Sequence, residues 1–248
     1  MSDRDEYLEM QQRVYKRGAE KWKNGKYNAI VGSVDLHNKS PMYDKYLFKG
    51  LDTSNLVALE YGCGPARNLI NWNDRFSRID GVDFEPVIEV ARENLVKNNK
   101  PIPNLYVTSG DSIPCEDDIY DVVYSVICLQ HICVHEIRYS IFKEIYRVLK
   151  PGGYFCAQMG MGRQDARGQE FYREGQLTKY LGNNYNAQFS NGSADCSVED
   201  EDLLKKDLES IGFVDYVSDI TIPVTKEEKI DYTTFIKHDN WIWFKVKK

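Results

Sequence analysis

The 248-residue sequence lacks several features that mark common functional classes. Its six cysteines are scattered, without a C-x-x-C pair or a cluster with histidine at metal-ligand spacing, which argues against a metal site. It also lacks a block of basic residues, since 38 acidic residues outnumber 32 basic ones and the formal charge is −6. A protein that follows a nucleic-acid backbone needs such a block. We therefore expect no nucleic-acid partner and read the cysteines as reduced thiols of a cytoplasmic protein.

Long hydrophobic runs are missing as well. No apolar stretch approaches the roughly 20 residues that span a bilayer, and the charged start at Met1–Glu6 does not resemble a secretory signal. The sequence shows neither an internal repeat nor a low-complexity tract. These absences favour a soluble protein without a membrane partner. The length suits a single domain, 1–248, that can bury a sizeable core.

The most informative stretch that is present runs from Leu56 to Asn68, with the sequence LVALEYGCGPARN. Its apolar start predicts a buried strand, and its glycines predict a tight turn before a helix begins. Gly62 and Gly64 would let a ligand approach the main chain, and the helix start offers N–H groups to a polar ligand. A dinucleotide-binding turn needs a third glycine where this sequence has Arg67. The stretch thus predicts a cofactor with a polar end and disfavours a pyrophosphate.

An acidic side chain ends the second predicted strand, and another follows the third. The segment Arg78–Asp83 predicts a second strand whose last carboxylate lies 23 positions after Glu60. A carboxylate at such a tip accepts hydrogen bonds from both ribose hydroxyls of a nucleoside cofactor. Asp111 follows a third predicted strand, Leu105–Thr108, and lies 28 positions after Asp83, although Gly-Asp-Ser is also a good turn by composition alone. The acidic tip of the second strand thus predicts a nucleoside cofactor, and the spacing of Asp111 from Asp83 favours a functional role for Asp111 over a simple turn.

These segments resemble the motifs of class I S-adenosylmethionine-dependent methyltransferases. The sequence YDVV at 120–123 resembles the opening of the fourth strand of that family. The series EIYRVLKPGGYF at 144–155 resembles its helix, turn and fifth strand. The resemblance covers Leu56–Met159 well and the C-terminal strands loosely. Its first motif, (E/D)-x-G-x-G-x-(G/A), is met by Glu60, Gly62, Gly64 and Ala66.

The resemblance implies an α/β fold, a three-layer α/β/α sandwich around a seven-stranded, mostly parallel sheet whose last strand is antiparallel. We expect a helix that opens at Ser197, then strands within Phe213–Val224 and Asn240–Lys247. An N-terminal helical lid, 1–52, and a substrate-cap insertion after strand five, 160–197, are expected outside this core. The alternatives are an N-terminal segment that packs on the outside of the sheet and an insertion that is a surface loop.

The same resemblance implies that the cofactor is S-adenosyl-L-methionine. Asp83 would bind the ribose, and Phe84 would lie against the adenine or serve as a core residue at the strand end. Asp111 and Ser112 would meet the adenine edge. The exit of the fourth strand, Ser125 to His131, would pass beneath the methionine part of the cofactor. The residues expected to bind the cofactor are Glu60, Gly62, Cys63, Gly64, Asp83, Phe84, Asp111, Ser112, Ser125 and Val126.

The expected chemistry is an in-line displacement, in which the protein aligns the acceptor and, for a hydroxyl acceptor, removes a proton. His131 is the candidate catalytic base, and capping the next helix or lining the pocket is its alternative role. His135 follows at metal-pair spacing, but the H-E-x-x-H pattern is missing and no metal is expected.

The nature of the acceptor is indicated by Ser-Val-Ile-Cys at 125–128. Methyltransferases that act on amino groups of DNA carry an Asn-Pro-Pro-Tyr-like tetrapeptide there. The difference favours a small-molecule acceptor and transfer to oxygen, with sugars, amines, carboxylates and aromatic hydroxyls all left open. A non-catalytic, regulatory nucleoside-binding module of the same fold is the alternative function. A nicotinamide-dependent oxidoreductase is less favoured.

Overall fold

The computed structural model describes residues 2–23, 43–162, 169–173, 195–221 and 240–248. Within them, the helices are α1 (Asp3–Lys23), α2 (Arg67–Asn71), α3 (Glu85–Lys97), α4 (His135–Val148) and α5 (Glu201–Ile211). A π-helical turn (Tyr43–Leu47) and a 3-10 turn (Leu129–His131) accompany them. The strands are β1 (Val57–Tyr61), β2 (Arg78–Asp83), β3 (Leu105–Val107), β4 (Tyr120–Ser125), β5 (Leu149–Met161), β6 (Gln169–Phe171), β7 (Asp195–Ser197), β8 (Val214–Thr221) and β9 (Asn240–Lys247).

Seven of these strands form one sheet in the order β3-β2-β1-β4-β5-β9-β8. Strands β1 to β5 pair in parallel, whereas β9 is antiparallel to both β5 and β8. The predicted seven-stranded, mostly parallel sheet with an antiparallel last strand is confirmed. The strand order reverses between β1 and β4, and open α/β sheets bind ligands at such a point, beyond the carboxyl ends of the strands.

The sheet is buried between two apolar layers because successive side chains of a strand point to opposite faces. Leu59 and Tyr61 of β1 pack in the layer formed with α4 and α5. Ala58 packs in the opposite layer, formed with α2 and α3. All three side chains are almost completely buried. This arrangement fixes the tips of the central strands at one edge of the sheet.

Helix α1 crosses the loops that follow β2 and β3. Tyr7 is fully buried in the layer that holds α4 and α5, and the Tyr15 ring lies 5.6 Å from the ring of Phe84. Gln12 donates a hydrogen bond of 3.0 Å from Nε2 to the carbonyl of Ser109. The N-terminal helix therefore contacts the edge of the sheet where the candidate site lies.

Two local predictions are wrong. The helix that was expected to open at Ser197 begins at Glu201, because Asp200 is its N-cap and accepts the Asp202 N–H at 3.0 Å. Ser197 instead ends β7, which pairs with β6. The resemblance of residues 144–155 to a helix, a turn and a fifth strand also implies a turn before that strand, whereas β5 already starts at Leu149.

The segment Lys150–Gly153 is part of β5 rather than a turn before it. Pairing with β4 breaks after Tyr120 and Leu149 and resumes at Val122 and Tyr154, so the intervening residues bulge out.

Much of the N-terminal segment and of the predicted insertion lies outside the described residues. Among the helices that the structure does describe, none is long and apolar enough to cross a bilayer.

Candidate cofactor site

The glycine turn between β1 and α2 is the centre of the site. Gly62 and Gly64 both have left-handed φ angles, 76° and 54°. A Cβ added to Gly62 would lie 2.2 Å from Sγ of Cys128, whereas one added to Gly64 would meet no atom within 4 Å. The first glycine thus allows the exit of β4 to approach the turn. The second borders open space at the edge of the sheet.

Asp83, at the tip of β2, ties this turn to the start of α3. One carboxylate oxygen accepts the Gly64 N–H at 2.8 Å, and the other accepts the Phe84 N–H at 2.7 Å. Burial raises the pKa of Asp83 to about 6, and the two backbone hydrogen bonds oppose that shift. Each oxygen keeps a further lone pair, so the carboxylate can still accept hydroxyl donors. The residues present therefore fit the ribose of a nucleoside.

Glu60 lies beneath the turn, on the face of the sheet that α2 covers. Its side chain is only 2% exposed and accepts hydrogen bonds from Asn68 Nδ2 at 2.5 Å and from the Tyr124 hydroxyl at 3.2 Å. Desolvation raises the pKa of Glu60 to about 8. The carboxyl group supports the turn from inside the protein. Direct contact of Glu60 with a cofactor remains a prediction.

Cys63 lies between the two glycines and is also buried. Burial raises the pKa of its thiol well above the ordinary value, so the thiol is neutral. A Cβ added to Gly81 of β2 would lie 2.9 Å from Sγ of Cys63. The turn therefore packs closely on the neighbouring strand. A cofactor contact at Cys63 would therefore involve its main chain.

The loop after β3 is held by α1. Asp111 accepts two hydrogen bonds from Arg4, at 2.9 Å from Nε and 2.5 Å from Nη2, and one from the Ser109 hydroxyl at 3.1 Å. The hydroxyls of Ser109 and Ser112 are 2.8 Å apart. Both predicted adenine-binding residues thus lie in one hydrogen-bonded loop. Arg4 carries no local sequence signal of this contact, because it lies 107 positions from Asp111.

Phe84 follows Asp83 and is 8% exposed. Its ring packs with Ala19 of α1 and with Val87 and Val90 of α3. The packing agrees with its alternative role as a core residue at the strand end. Contact with an adenine ring remains a prediction.

The exit of β4 lies beside the glycine turn. The hydroxyl of Ser125 donates to the Tyr61 carbonyl at 3.0 Å, and both Ser125 and Val126 are buried. Ile127 has a φ of 52°, which is unusual for a β-branched residue. His131 is half-buried at the end of the 3-10 turn. Its main-chain N–H donates to the Cys128 carbonyl at 2.9 Å. The predicted methionine-side residues therefore lie together at the strand-order reversal.

His135 makes different contacts from those that a metal pair would need. Its Nε2 lies 2.7 Å from a carboxylate oxygen of Asp207, and the other oxygen accepts a hydrogen bond from Arg173 at 2.5 Å. Within the described ranges, no group of three or more His, Cys, Asp or Glu residues is arranged to hold a metal ion.

Comparison with known proteins shows which proteins this sheet and its glycine turn resemble. A family model described as a methyltransferase domain matches residues 59–157, which run from within β1 to within β5 and include the glycine turn. Residues 59–157 therefore carry a methyltransferase domain, and over this stretch the chain is similar to the class I S-adenosylmethionine-dependent methyltransferases. Its fold is the one that the family motifs in the sequence predict.

The relatives of this methyltransferase domain are distant. Malonyl-[acyl-carrier protein] O-methyltransferase of Salmonella typhimurium is 27% identical over 96 residues, 38% of this chain and 35% of that protein. Sterol 4-C-methyltransferase of Caenorhabditis elegans is 30% identical over 106 residues, 42% of this chain and 30% of that protein. The chain thus matches about a third of the length of these curated relatives.

Solved methyltransferase structures share the fold. Phosphoethanolamine N-methyltransferase 2 of Haemonchus contortus, in complex with phosphomonomethylethanolamine and S-adenosylhomocysteine, has a TM-score of 0.63 at 19% identity, covering 100% of this chain and 60% of that one. A structure from Bacillus halodurans C-125 that is described as a methyltransferase has a TM-score of 0.55 at 18% identity, covering 87% of this chain and 99% of that one.

The two glycines predict different costs of substitution. Gly62→Ala should lower the free energy of unfolding by about 3 kcal/mol, because the added methyl overlaps Cys128 and the residue keeps a left-handed φ. Gly64→Ala should cost only about 1 kcal/mol, since only the backbone penalty applies. Urea denaturation of both variants measures the difference. Equal costs would contradict the tight contact at Gly62.

The buried Glu60 predicts a pH dependence of stability. Its folded-state pKa of about 8 lies above the ordinary value of 4.5, so the folded protein binds more protons than the unfolded chain between these values. Stability should therefore fall as pH rises from 4.5 to about 8. Relative to Glu60→Gln, the wild type should lose at least about 1.4 kcal/mol across this window, as expected for one pKa unit. A pH-independent difference in urea denaturation would show that Glu60 titrates normally.

Proposed function

We propose that this chain binds S-adenosyl-L-methionine and transfers its methyl group to a small-molecule acceptor, with oxygen as the receiving atom. The observation that carries the cofactor assignment is the carboxylate of Asp83, which fixes the glycine turn and keeps lone pairs for ribose hydroxyls. The open space at Gly64 gives a ligand access to the main chain beside it. The match of residues 59–157 to a methyltransferase domain supports the same assignment.

The residues have distinct roles in this proposal. Gly62, Cys63 and Gly64 present main-chain groups to the cofactor, while Asp111 and Ser112 hold the adenine edge. When bound, the cofactor supplies an electrophilic methyl group on a sulfonium that is already a good leaving group. The protein therefore needs to bind both reactants, align them and exclude water. His131 accepts the proton of a hydroxyl acceptor.

The acceptor side is proposed from the sequence rather than from the relatives. The names of those relatives include methyl transfer to oxygen, carbon and nitrogen, so they select no receiving atom. Oxygen and a small acceptor are favoured by Ser-Val-Ile-Cys at 125–128. We assign segment 1–52 as the lid and 160–197 as the substrate cap, and we expect a cytoplasmic enzyme without a nucleic-acid partner. A non-catalytic nucleoside-binding module is the second candidate, since Asp83 and the turn would serve it equally.

Calorimetric titration tests the cofactor. The wild-type protein should bind S-adenosylmethionine and S-adenosylhomocysteine and should not bind NADH. Asp83→Asn should weaken the binding of S-adenosylhomocysteine about tenfold or more, because hydrogen bonds to a charged group are lost. Asp219→Asn is the matched control, because Asp219 lies on the edge strand β8 and its carboxylate pairs with Lys49. Binding of NADH alone, or equal effects of the two substitutions, would contradict the assignment.

Turnover tests the catalytic role of His131. Transfer of labelled methyl groups should be screened with sugars, amines, carboxylates and aromatic hydroxyls as acceptors. With a hydroxyl acceptor, His131→Gln should lower kcat by about 100-fold or more, the contribution of a general base. The affinity of the His131→Gln variant for S-adenosylhomocysteine should stay unchanged. An unaltered kcat would limit His131 to lining the pocket, and no transfer to any acceptor despite cofactor binding would favour the non-catalytic module.

A further inference from the structure

Gln158 of β5 has a side-chain amide that is only half satisfied. The residue is fully buried, and its Oε1 accepts the Ile127 N–H at 3.1 Å. Its Nε2 is buried from solvent and makes no hydrogen bond within the part of the chain that the structure describes. Because the amide is small and planar, this unpartnered donor lies close to Ile127, at the exit of β4.

Two unfavourable features therefore coincide at one point of the fold. A buried amide N–H without an acceptor destabilises a protein, and so does a β-branched residue at a φ of 52°. A methionine at position 158 would fill similar space without the unsatisfied donor. Features of this kind persist at ligand sites, where the ligand completes the hydrogen bonding. The missing partner should be an oxygen that accepts from a neutral amide.

The strand order indicates which part of a ligand reaches this amide, and this step rests on the proposed function. The proposed adenine and ribose contacts, Asp111 and Asp83, follow β3 and β2. Adjacent strands lie about 4.8 Å apart, so a ligand that continues in the same direction passes β1 and reaches β4. The sulfur would then lie near the glycine turn. The amino-acid end of the cofactor would lie over the exit of β4, where Gln158 meets Ile127.

We propose that the Gln158 side-chain amide donates a hydrogen bond to the carboxylate at the amino-acid end of S-adenosylmethionine. The assignment gives the buried donor a charged acceptor, and hydrogen bonds to charged groups are the stronger ones. It also accounts for the conformation of Ile127, because the hydrogen bond from the Ile127 N–H to Oε1 of Gln158 fixes the orientation of the amide. Gln158 is then a determinant of selectivity for the intact amino-acid end.

Two probes separate this contact from the rest of the site. S-adenosylhomocysteine carries the amino-acid end, whereas 5′-methylthioadenosine has the same adenosine and thioether without it. In calorimetric titrations, Gln158→Met should weaken S-adenosylhomocysteine binding about tenfold, the usual effect of a hydrogen bond to a charged group. Binding of 5′-methylthioadenosine should stay within about twofold, because its contacts are unaltered.

A second variant guards against misfolding. Gln158→Glu retains an oxygen for the Ile127 N–H and replaces the donating nitrogen with a second oxygen, so at alkaline pH it should show the same selective loss. Equal weakening of both probes, or unchanged binding of both by correctly folded variants, would overturn the assignment of Gln158. A wild-type protein that binds neither probe would overturn the proposed cofactor, and this inference with it.

Discussion

The candidate site depends on one carboxylate that joins two connections of the sheet. Asp83 ends β2, yet its oxygens bind the main chain of the glycine turn after β1 and of the first residue after β2. The main-chain N–H groups of Gly62 and Cys63 reinforce this link, because both donate to the Val82 carbonyl of β2, at 2.9 and 3.2 Å. The cost is a desolvated acid whose pKa rises to about 6. A cofactor with two hydroxyl donors would find that acid already oriented.

The interior beneath the turn is polar for a related reason. Glu60 is held on both oxygens by Asn68 and Tyr124, and Asn94 of α3 donates to the Pro65 carbonyl at 3.0 Å. These contacts fix a turn whose glycines adopt left-handed φ angles and supply no side chains of their own. Arg4 of α1 fixes the loop after β3 through its hydrogen bond to Asp111. The binding edge is therefore ordered by buried hydrogen bonds before a ligand arrives.

Local sequence patterns predict the fold well where each element carries its own signal. The glycine turn, the acid at the tip of β2 and the alternation of β9 are local features, and the family resemblance supplies the strand order. Sequence reasoning failed where two local signals competed, as at Ser197 and Asp200, which both suit a helix start. It also failed where the partner is distant in sequence, as with Arg4 and Asp111. The buried position of Glu60 depends on the packing of α2, which no motif specifies.

Hydrogen–deuterium exchange with and without S-adenosylhomocysteine would show directly which main-chain segments bind the cofactor. Protection should increase at the glycine turn, at the tips of β2 and β3 and at the exit of β4, because these main-chain segments meet the ligand or are held by residues that do. The edge strand β8 should be unaffected. Protection that is absent from the Asp83 region, or confined to β8, would contradict a cofactor site at the strand-order reversal.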